Sequence, residues 1–273
     1  MPLTIEEKSR RFVALHERAG SFVIPNPWDA GSARILAALG FEALATSSGA
    51  CAGVLGRTDG RVTRAESIAH AKAIVEATDL PVAADLENGF GDSIEDAAET
   101  IRAAGSIGLV GGSIEDCAGP GKGIYDFEHA VWRVEGAVAA ARALPFRFVF
   151  TARAENFIRG NPDLDDTIRR LKAYEKAGAD VLFAPGLPDV DAVRQVCASL
   201  ERPFNFMVGI KGRSFSVADL AAAGVKRISL ATSLYRAAMT GLIDAAREVK
   251  EQGTFGYLDH SVPTPDLNKL LGG

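Results

Sequence analysis

A (β/α)8 TIM barrel with an extra N-terminal helix is the fold class this chain predicts, and three observations lead there. One phrase recurs: A-L-G-F-E-A-L-A, A-A-G-S-I-G-L-V, K-A-G-A-D-V-L-F and A-A-G-V-K-R-I-S-L each read as helix end, glycine, then buried strand. Glycine supplies a left-handed C-cap, and a short loop leads into the next strand. Strand and helix patterns alternate eight times within 273 residues, which suits parallel strands joined by right-handed crossovers. Finally, no G-x-G-x-x-G follows the first strand, which disfavours a doubly wound open sheet. The barrel is expected to occupy 1–253 as one domain. Residues 254–273 read as a proline-bearing tail, packed on a neighbour or loose.

Bulk properties narrow the classes of partner. Hydrophobic residues make up 47% of the chain, ample for a core at this length. The net charge of −5 and the lack of a basic run argue against nucleic-acid binding. The opening M-P-L-T-I-E-E-K-S-R-R is too charged for a signal peptide. No apolar run approaches the roughly 18 residues needed to span a membrane. Cys51, Cys117 and Cys197 are scattered with no C-x-x-C, so neither a disulfide framework nor a zinc site is implied. A cytoplasmic protein without membrane or nucleic-acid partners is the expectation.

Each element has a local reason. Residues 4–19 form a helix, because Thr4 and Glu7 make a capping box and Phe12, Leu15 and His16 give a partial apolar face. Strand 21–26 is stopped by P-N-P, and helix 29–39 by Gly40. Strand 41–47 follows, then an irregular segment over 48–62 containing S-S-G-A-C-A-G and G-R-T-D-G. Thr63 and Glu66 open the next helix, which runs to about Ala77, and strand 81–87 comes after it. Ser93 and Asp96 cap a helix with Ile94, Ala97, Ala98, Ile101 and Ala104 on one face. Strands are then expected at 107–115, 146–153, 179–184, 203–208 and 225–231. Helices are expected at 127–144, 163–177, 189–200, 216–223 and 233–251. The last of these carries Leu234, Ala237, Ala238, Leu242, Ala245 and Val249 at helical spacing.

In such a barrel the functional face carries the carboxyl ends of the strands. The third strand runs V-A-A-D-L-E-N-G-F-G-D, so alternation should turn Asp85 and Glu87 towards one point. The fourth adds Glu115 and Asp116 to the same mouth. Carboxylates crowded together repel unless a cation lies among them, and oxygen donors favour a hard ion such as Mg²⁺. Arg153 ends the fifth strand, where a guanidinium can clamp a carboxylate or phosphate-like anion. Arg236, early in the last helix, is a second candidate clamp. Ser48, Gly49 and Ala50 offer successive backbone N–H groups to an oxyanion. Asn26, Ser47, Glu155 and Asn205 also fall at strand ends. Asp59 sits on a glycine-rich loop long enough to fold over the mouth. No histidine falls at a strand end, which argues against a zinc site or histidine acid–base chemistry. Cys117 reads as a small buried cysteine.

The order T-S-S-G, G-R-T-D-G, A-D-L-E-N-G-F-G, S-I-E-D and T-A-R-A-E-N-F resembles the isocitrate lyase / phosphoenolpyruvate mutase superfamily over about residues 22–239. The resemblance implies a Mg²⁺-dependent enzyme, with Mn²⁺ as an alternative ion, acting on a small 2-oxo acid through a metal-bound enolate. It implies that Asp85, Glu87 and Glu115 form the metal shell, some through water, and that Asp59 is the loop acid reaching that shell. Ser47, Ser48 and Gly49 then cradle the substrate carboxylate, Arg153 clamps the anion, and Arg236 matches a further substrate arginine. Asn205 is expected in the same substrate site. The resemblance also implies a homotetramer, a dimer of dimers, whose eighth helix swaps onto a neighbouring subunit. Two departures count against a true isocitrate or methylisocitrate lyase. The K-[KR]-C-G-H loop with its acid–base cysteine is replaced by the shorter C-A-G-P-G-K-G-I-Y-D, and Pro185 stands where those lyases carry a glutamate. Oxaloacetate decarboxylase-like cleavage at C3 is the expectation that remains. A phosphonopyruvate reaction, methylisocitrate lyase-like activity and a non-catalytic oxo-acid binder are the alternatives.

Overall fold

The computed structural model describes residues 2–119 and 121–272. Helix α1 (Ile5–Glu17) begins at the capping box of Thr4 with Glu7. The chain then runs β1 (Phe22–Ile24), α2 (Ala30–Ala38), β2 (Leu44–Ala45), α3 (Ser48–Val54), α4 (Arg64–Glu76), β3 (Val82–Asp85), α5 (Ile94–Ser106) and β4 (Gly111–Glu115). It continues through α6 (Phe127–Arg142), β5 (Val149–Arg153), α7 (Leu164–Lys176), β6 (Val181–Phe183), α8 (Val190–Ala198) and β7 (Phe204–Met207). Helix α9 (Val217–Ala222), β8 (Arg227–Ser229), α10 (Ser233–Gln252) and α11 (Thr264–Leu270) complete it.

All eight strands pair in parallel, in the order β1-β8-β7-β6-β5-β4-β3-β2. The seam between β1 and β2 is closed by two contacts. The Ala45 N–H donates to the Pro25 carbonyl at 3.0 Å, and Asn26 Nδ2 donates to the Thr46 carbonyl at 2.9 Å. The sheet is thus a nearly closed TIM barrel, as the recurring glycine phrase predicts. Its staggered register aligns Glu115 with Arg153, Arg153 with Phe183, Phe183 with Asn205 and Asn205 with Arg227. Charged and amide side chains of different strands therefore meet inside the barrel.

Two apolar cores hold this frame. The larger lies between strands and outer helices, with Leu44, Ile101, Phe148, Phe150 and Phe204 among its buried members. The smaller plugs the bottom, where Phe12 and Leu15 of α1 pack on Phe22, Ile24, Val110, Val149 and Val181. The extra N-terminal helix is thus the floor of the barrel.

Three expectations are corrected. Segment 48–62 is not irregular throughout: its first half is α3, whose Ala50, Cys51 and Ala52 are buried, with Cys51 and Ala52 packed on Val62. Strand β2 is two residues long instead of seven, because pairing ends where the chain turns into α3. The tail is not loose within the chain. It forms a 3-10 turn at Gly256–His260 and then α11. Leu267 and Leu271 share an apolar groove with Trp28, Ile35, Leu36 and Leu234, so the tail returns to cover α2.

His16 gives the floor a pH dependence. Its ring lies edge-on between Phe12 and Phe22, and Nε2 is 3.3 Å from Nη1 of Arg227. Burial, then the charge of Arg227, pushes its pKa from 6.5 down to about 3. The unfolded chain therefore takes up this proton first, and stability is complete above pH 6.5 and falls as pH drops towards 3. Between pH 7 and pH 5 this one residue should cost the fold about 2 kcal/mol. Urea unfolding of the parent and of His16→Gln at both pH values checks this: the variant should show the smaller loss, and equal losses would contradict it.

Candidate active site

The loops after the strands enclose a cavity of about 400 Å³, and a polar well of about 70 Å³ runs beneath it into the barrel. Asp85 and Arg153 line both. Asp85 ends β3 and accepts three contacts: Nη1 of Arg153 at 2.8 Å, the Ser48 N–H at 3.3 Å and the Glu87 N–H at 3.3 Å. The candidate oxyanion cradle is the first turn of α3, and its Ser48 N–H points at Asp85. Gly49 is required there, since a Cβ on it would stand 2.8 Å from Cγ2 of Thr232 and 3.3 Å from Oδ2 of Asp59.

Glu87 reaches the cavity by a different route from the one the sequence suggests. Strand β3 stops at Asp85, and Glu87 has φ 47°, in the left-handed region that a non-glycine residue adopts at a cost. Ala231, which also lines the cavity, has φ 48°. Two strained residues thus border one site.

Arg153 organises the acids. Besides Asp85, its Nη2 lies 3.0 Å from Glu115 and 2.9 Å from Glu155, and Nε donates to Glu155 at 3.0 Å. Burial pulls its pKa down, but Glu155, Asp85 and Glu115 together hold it well above the usual arginine value. The cation expected to clamp a substrate anion is therefore largely engaged by three carboxylates. Burial, followed by repulsion from Glu155, raises Glu115. Burial, then Asp85 and Asp59, raises Glu87 to about 7.

The expected metal trio of Asp85, Glu87 and Glu115 lines one cavity, yet its carboxylates do not close on a single point. Among the described residues no three His, Cys, Asp or Glu side chains have metal-site spacing. The Arg153 guanidinium lies between Asp85 and Glu115, and the turn at Glu87 ends the alternation that would have aligned it with Asp85. The donor chemistry nevertheless fits a divalent hard cation. Asp59, Asp85, Glu87 and Glu115 border the cavity with Arg153 and Arg159, so four carboxylates face two guanidiniums. Burial first, and neighbouring carboxylates second, raise Glu87 and Glu115, and a divalent cation among them would relieve both.

The remaining candidates divide. Asp59 lines the cavity, on a loop that turns at Gly56 and Gly60, at φ 68° and 73°. Ser47 borders both spaces. Asn205 lies in the wall of the well, engaged with Arg227 at 2.8 Å and Ser229 at 3.1 Å. Arg236 is exposed on α10 and donates to the Gly209 carbonyl at 3.0 Å, so it borders the cavity only through Gly209. Asp116 leaves the mouth: Tyr174 at 2.6 Å and Arg170 at 3.1 Å hold it among the outer helices. Cys117 is fully buried with its thiol on the Gly119 carbonyl at 3.4 Å.

Two arginines escaped the sequence reading. Arg227 is buried at the base of the well, with Asn205, Thr151 and His16 as partners. Arg159 lines the mouth just past a 3-10 turn at Asn156–Ile158. A charged residue in the loop after the fifth strand was the available signal for Arg159; nothing local marks Arg227.

Likeness to known proteins places this parallel barrel in the isocitrate lyase / phosphoenolpyruvate mutase class of enzymes. The phosphoenolpyruvate phosphomutase family profile matches residues 12–250, and the chain belongs to that family. An uncharacterised Mycobacterium tuberculosis protein is 31% identical over 268 residues, covering 95% of each chain. The 2,3-dimethylmalate lyase of Eubacterium barkeri is 29% identical over 262 residues, covering 92% of this chain and 89% of the lyase. A solved structure from Burkholderia cenocepacia, described as a lyase/mutase, superposes with a TM-score of 0.96 at 48% identity over 98% of both chains. The fold and the lyase/mutase class expected from the motifs are thereby borne out. Among the described residues no helix is long and apolar enough to cross a membrane.

Proposed function

We propose that this protein is a Mg²⁺-dependent lyase, with Mn²⁺ as an alternative ion, that cleaves a bond at C3 of a small 2-oxo acid in the manner of an oxaloacetate decarboxylase. One observation carries the reading: four carboxylates, those of Asp59, Asp85, Glu87 and Glu115, line a single cavity together with the Ser47–Gly49 turn. Asp85, with Glu87 and Glu115 around it, would hold the ion, directly or through water. The ion would act as a Lewis acid on the oxo group and so lower the energy of an enolate. The Ser47–Gly49 turn would receive the substrate carboxylate, the Ser48 N–H exchanging its 3.3 Å contact with Asp85 for it. Arg153 fixes the acids in place through its contacts to Asp85, Glu115 and Glu155. With oxaloacetate, the C3–C4 bond breaks, its electrons remain on C3 as pyruvate enolate, carbon dioxide leaves and a proton returns to C3. A methylisocitrate lyase reaction is less well supported, since Cys117 is buried and engaged within its own loop. Phosphonopyruvate chemistry requires the same chelating end.

The deciding experiment is a turnover screen of oxaloacetate, methylisocitrate and phosphonopyruvate, with and without Mg²⁺. Turnover of one of them only with the ion supports the reading. No turnover of any, together with no Mg²⁺ binding by calorimetry, rejects it.

Assembly follows from α10. It has no buried residue over its whole length, and Leu242, Ile243 and Val249 are 61%, 47% and 40% exposed. An amphipathic helix whose apolar stripe is left uncovered fits association with other copies of the chain, and we propose a homotetramer built as a dimer of dimers. Light scattering at micromolar concentration should give the mass of four chains, and a single-chain mass would contradict the assembly.

A further inference from the structure

The two guanidiniums that line the mouth differ in how they are engaged. Arg153 shares its charge among Asp85, Glu115 and Glu155. Arg159 donates one hydrogen bond, from Nη2 to Glu115 at 3.0 Å. Its Nε approaches Oε2 of Glu155 only to 3.4 Å, and neither atom has a hydrogen-bond partner among the described residues. Its Nη1 makes none either, although the side chain is 30% exposed towards the cavity it lines. A chain of contacts fixes where it stands: Ser48 to Asp85, Asp85 to Arg153, Arg153 to Glu115, Glu115 to Arg159. Arg159 is thus at the opposite end of that chain from the Ser48–Gly49 turn.

From this we infer that Arg159 reads the distal anionic group of the substrate, so that the site selects a dianionic 2-oxo acid over a monoanionic one. The inference rests on the oxo-acid reading proposed above. A substrate held at the Ser47–Gly49 end extends across the cavity towards Arg159, the lining cation with the more donors left over among the described residues. A planar guanidinium with free N–H groups suits a carboxylate, and a phosphonate presents the same acceptor geometry. A chain ending in a methyl group would leave those donors unmatched, and a hydroxyl would offer them one neutral acceptor in place of a charged pair of oxygens, which costs affinity.

The test is calorimetric, with Mg²⁺ present, on the parent, Arg159→Gln and Arg159→Lys. Oxalate carries the chelating end alone. Malate adds a distal carboxylate, and sulfopyruvate adds a distal group shaped like a phosphonate. Arg159→Gln should weaken malate, sulfopyruvate or both by about tenfold or more while changing oxalate by less than about twofold. Arg159→Lys should recover part of the loss, since the charge returns. Which of the two ligands loses more tells a carboxylate substrate from a phosphonate one. Equal weakening of all three ligands would reduce Arg159 to a support for Glu115 and overturn the inference, as would no loss at all. Binding of none of them by the parent would instead overturn the oxo-acid reading itself.

Discussion

Asp85→Ala is expected to lower Mg²⁺-dependent turnover by about 10³-fold or more while leaving the barrel folded. Asp85 joins the upper cavity to the lower well, the Ser48 turn to Arg153, and the strand end to the Glu87 turn. Its loss removes the carboxylate on which both ion and substrate positioning converge. The fold is expected to survive, because Arg153 keeps Glu115 and Glu155 and is not left as an uncompensated buried charge. Asp85→Asn separates charge from shape: it keeps one acceptor oxygen for Arg153 and the Glu87 N–H, but loses the negative charge and the second oxygen that accepts from Ser48. A comparable drop in both variants, with circular dichroism unchanged, assigns the effect to the charge. Turnover within about tenfold of the parent would show that Asp85 is not the centre of the site. The same pair of variants tests the non-catalytic alternative: steady parent turnover that vanishes in Asp85→Ala excludes a protein that merely binds oxo acids.

How far the sequence reaches depends on whether a feature is local. The capping boxes at Thr4 with Glu7, Thr63 with Glu66 and Ser93 with Asp96 all form, because each involves residues three apart and nothing beyond them. Asp85, Glu115 and Arg153 were legible as site residues because they end strands, and the barrel brings strand ends together whatever the loops do. Directions decided by tertiary partners were not legible. Asp116 is next to Glu115 in sequence, yet Arg170 and Tyr174 of α7 draw it among the outer helices. Glu87 follows a strand by two residues, yet a left-handed backbone turns it. Arg227 looks like any charged residue at the start of a strand. Only the closed register places it beside Asn205, with His16 of the floor helix underneath. The same limit hid α3, whose Gly49 and Gly53 offset the helix propensity of its two alanines and which forms where Ala50, Cys51 and Ala52 become buried.

Asp59→Ala is expected to lower kcat by about 10- to 100-fold while shifting the Mg²⁺ dissociation constant far less. Asp59 reaches the cavity from a loop, not from a strand. The loop is anchored on one side by Arg57, whose Nη1 is 2.6 Å from Glu66, and it turns at Gly56 and Gly60. Its carboxylate lies close against Gly49, at the turn proposed to hold the substrate carboxylate, and its charge helps to raise Glu87. Asp85, Glu87 and Glu115 remain in place without it, so ion binding keeps its main donors. An enolate is protonated by any water that reaches C3, so a loop that seats an acid over the mouth also controls when protonation occurs. In the structure the loop places Asp59 in the wall of the cavity. Calorimetry with Mg²⁺ and steady-state kinetics on the same preparation separate the two effects. A fall in kcat with nearly unchanged ion affinity fits a loop that closes and organises the site. An equal loss in both would make Asp59 a metal-holding group, and parent-like turnover would mean that the loop's carboxylate takes no part in the chemistry.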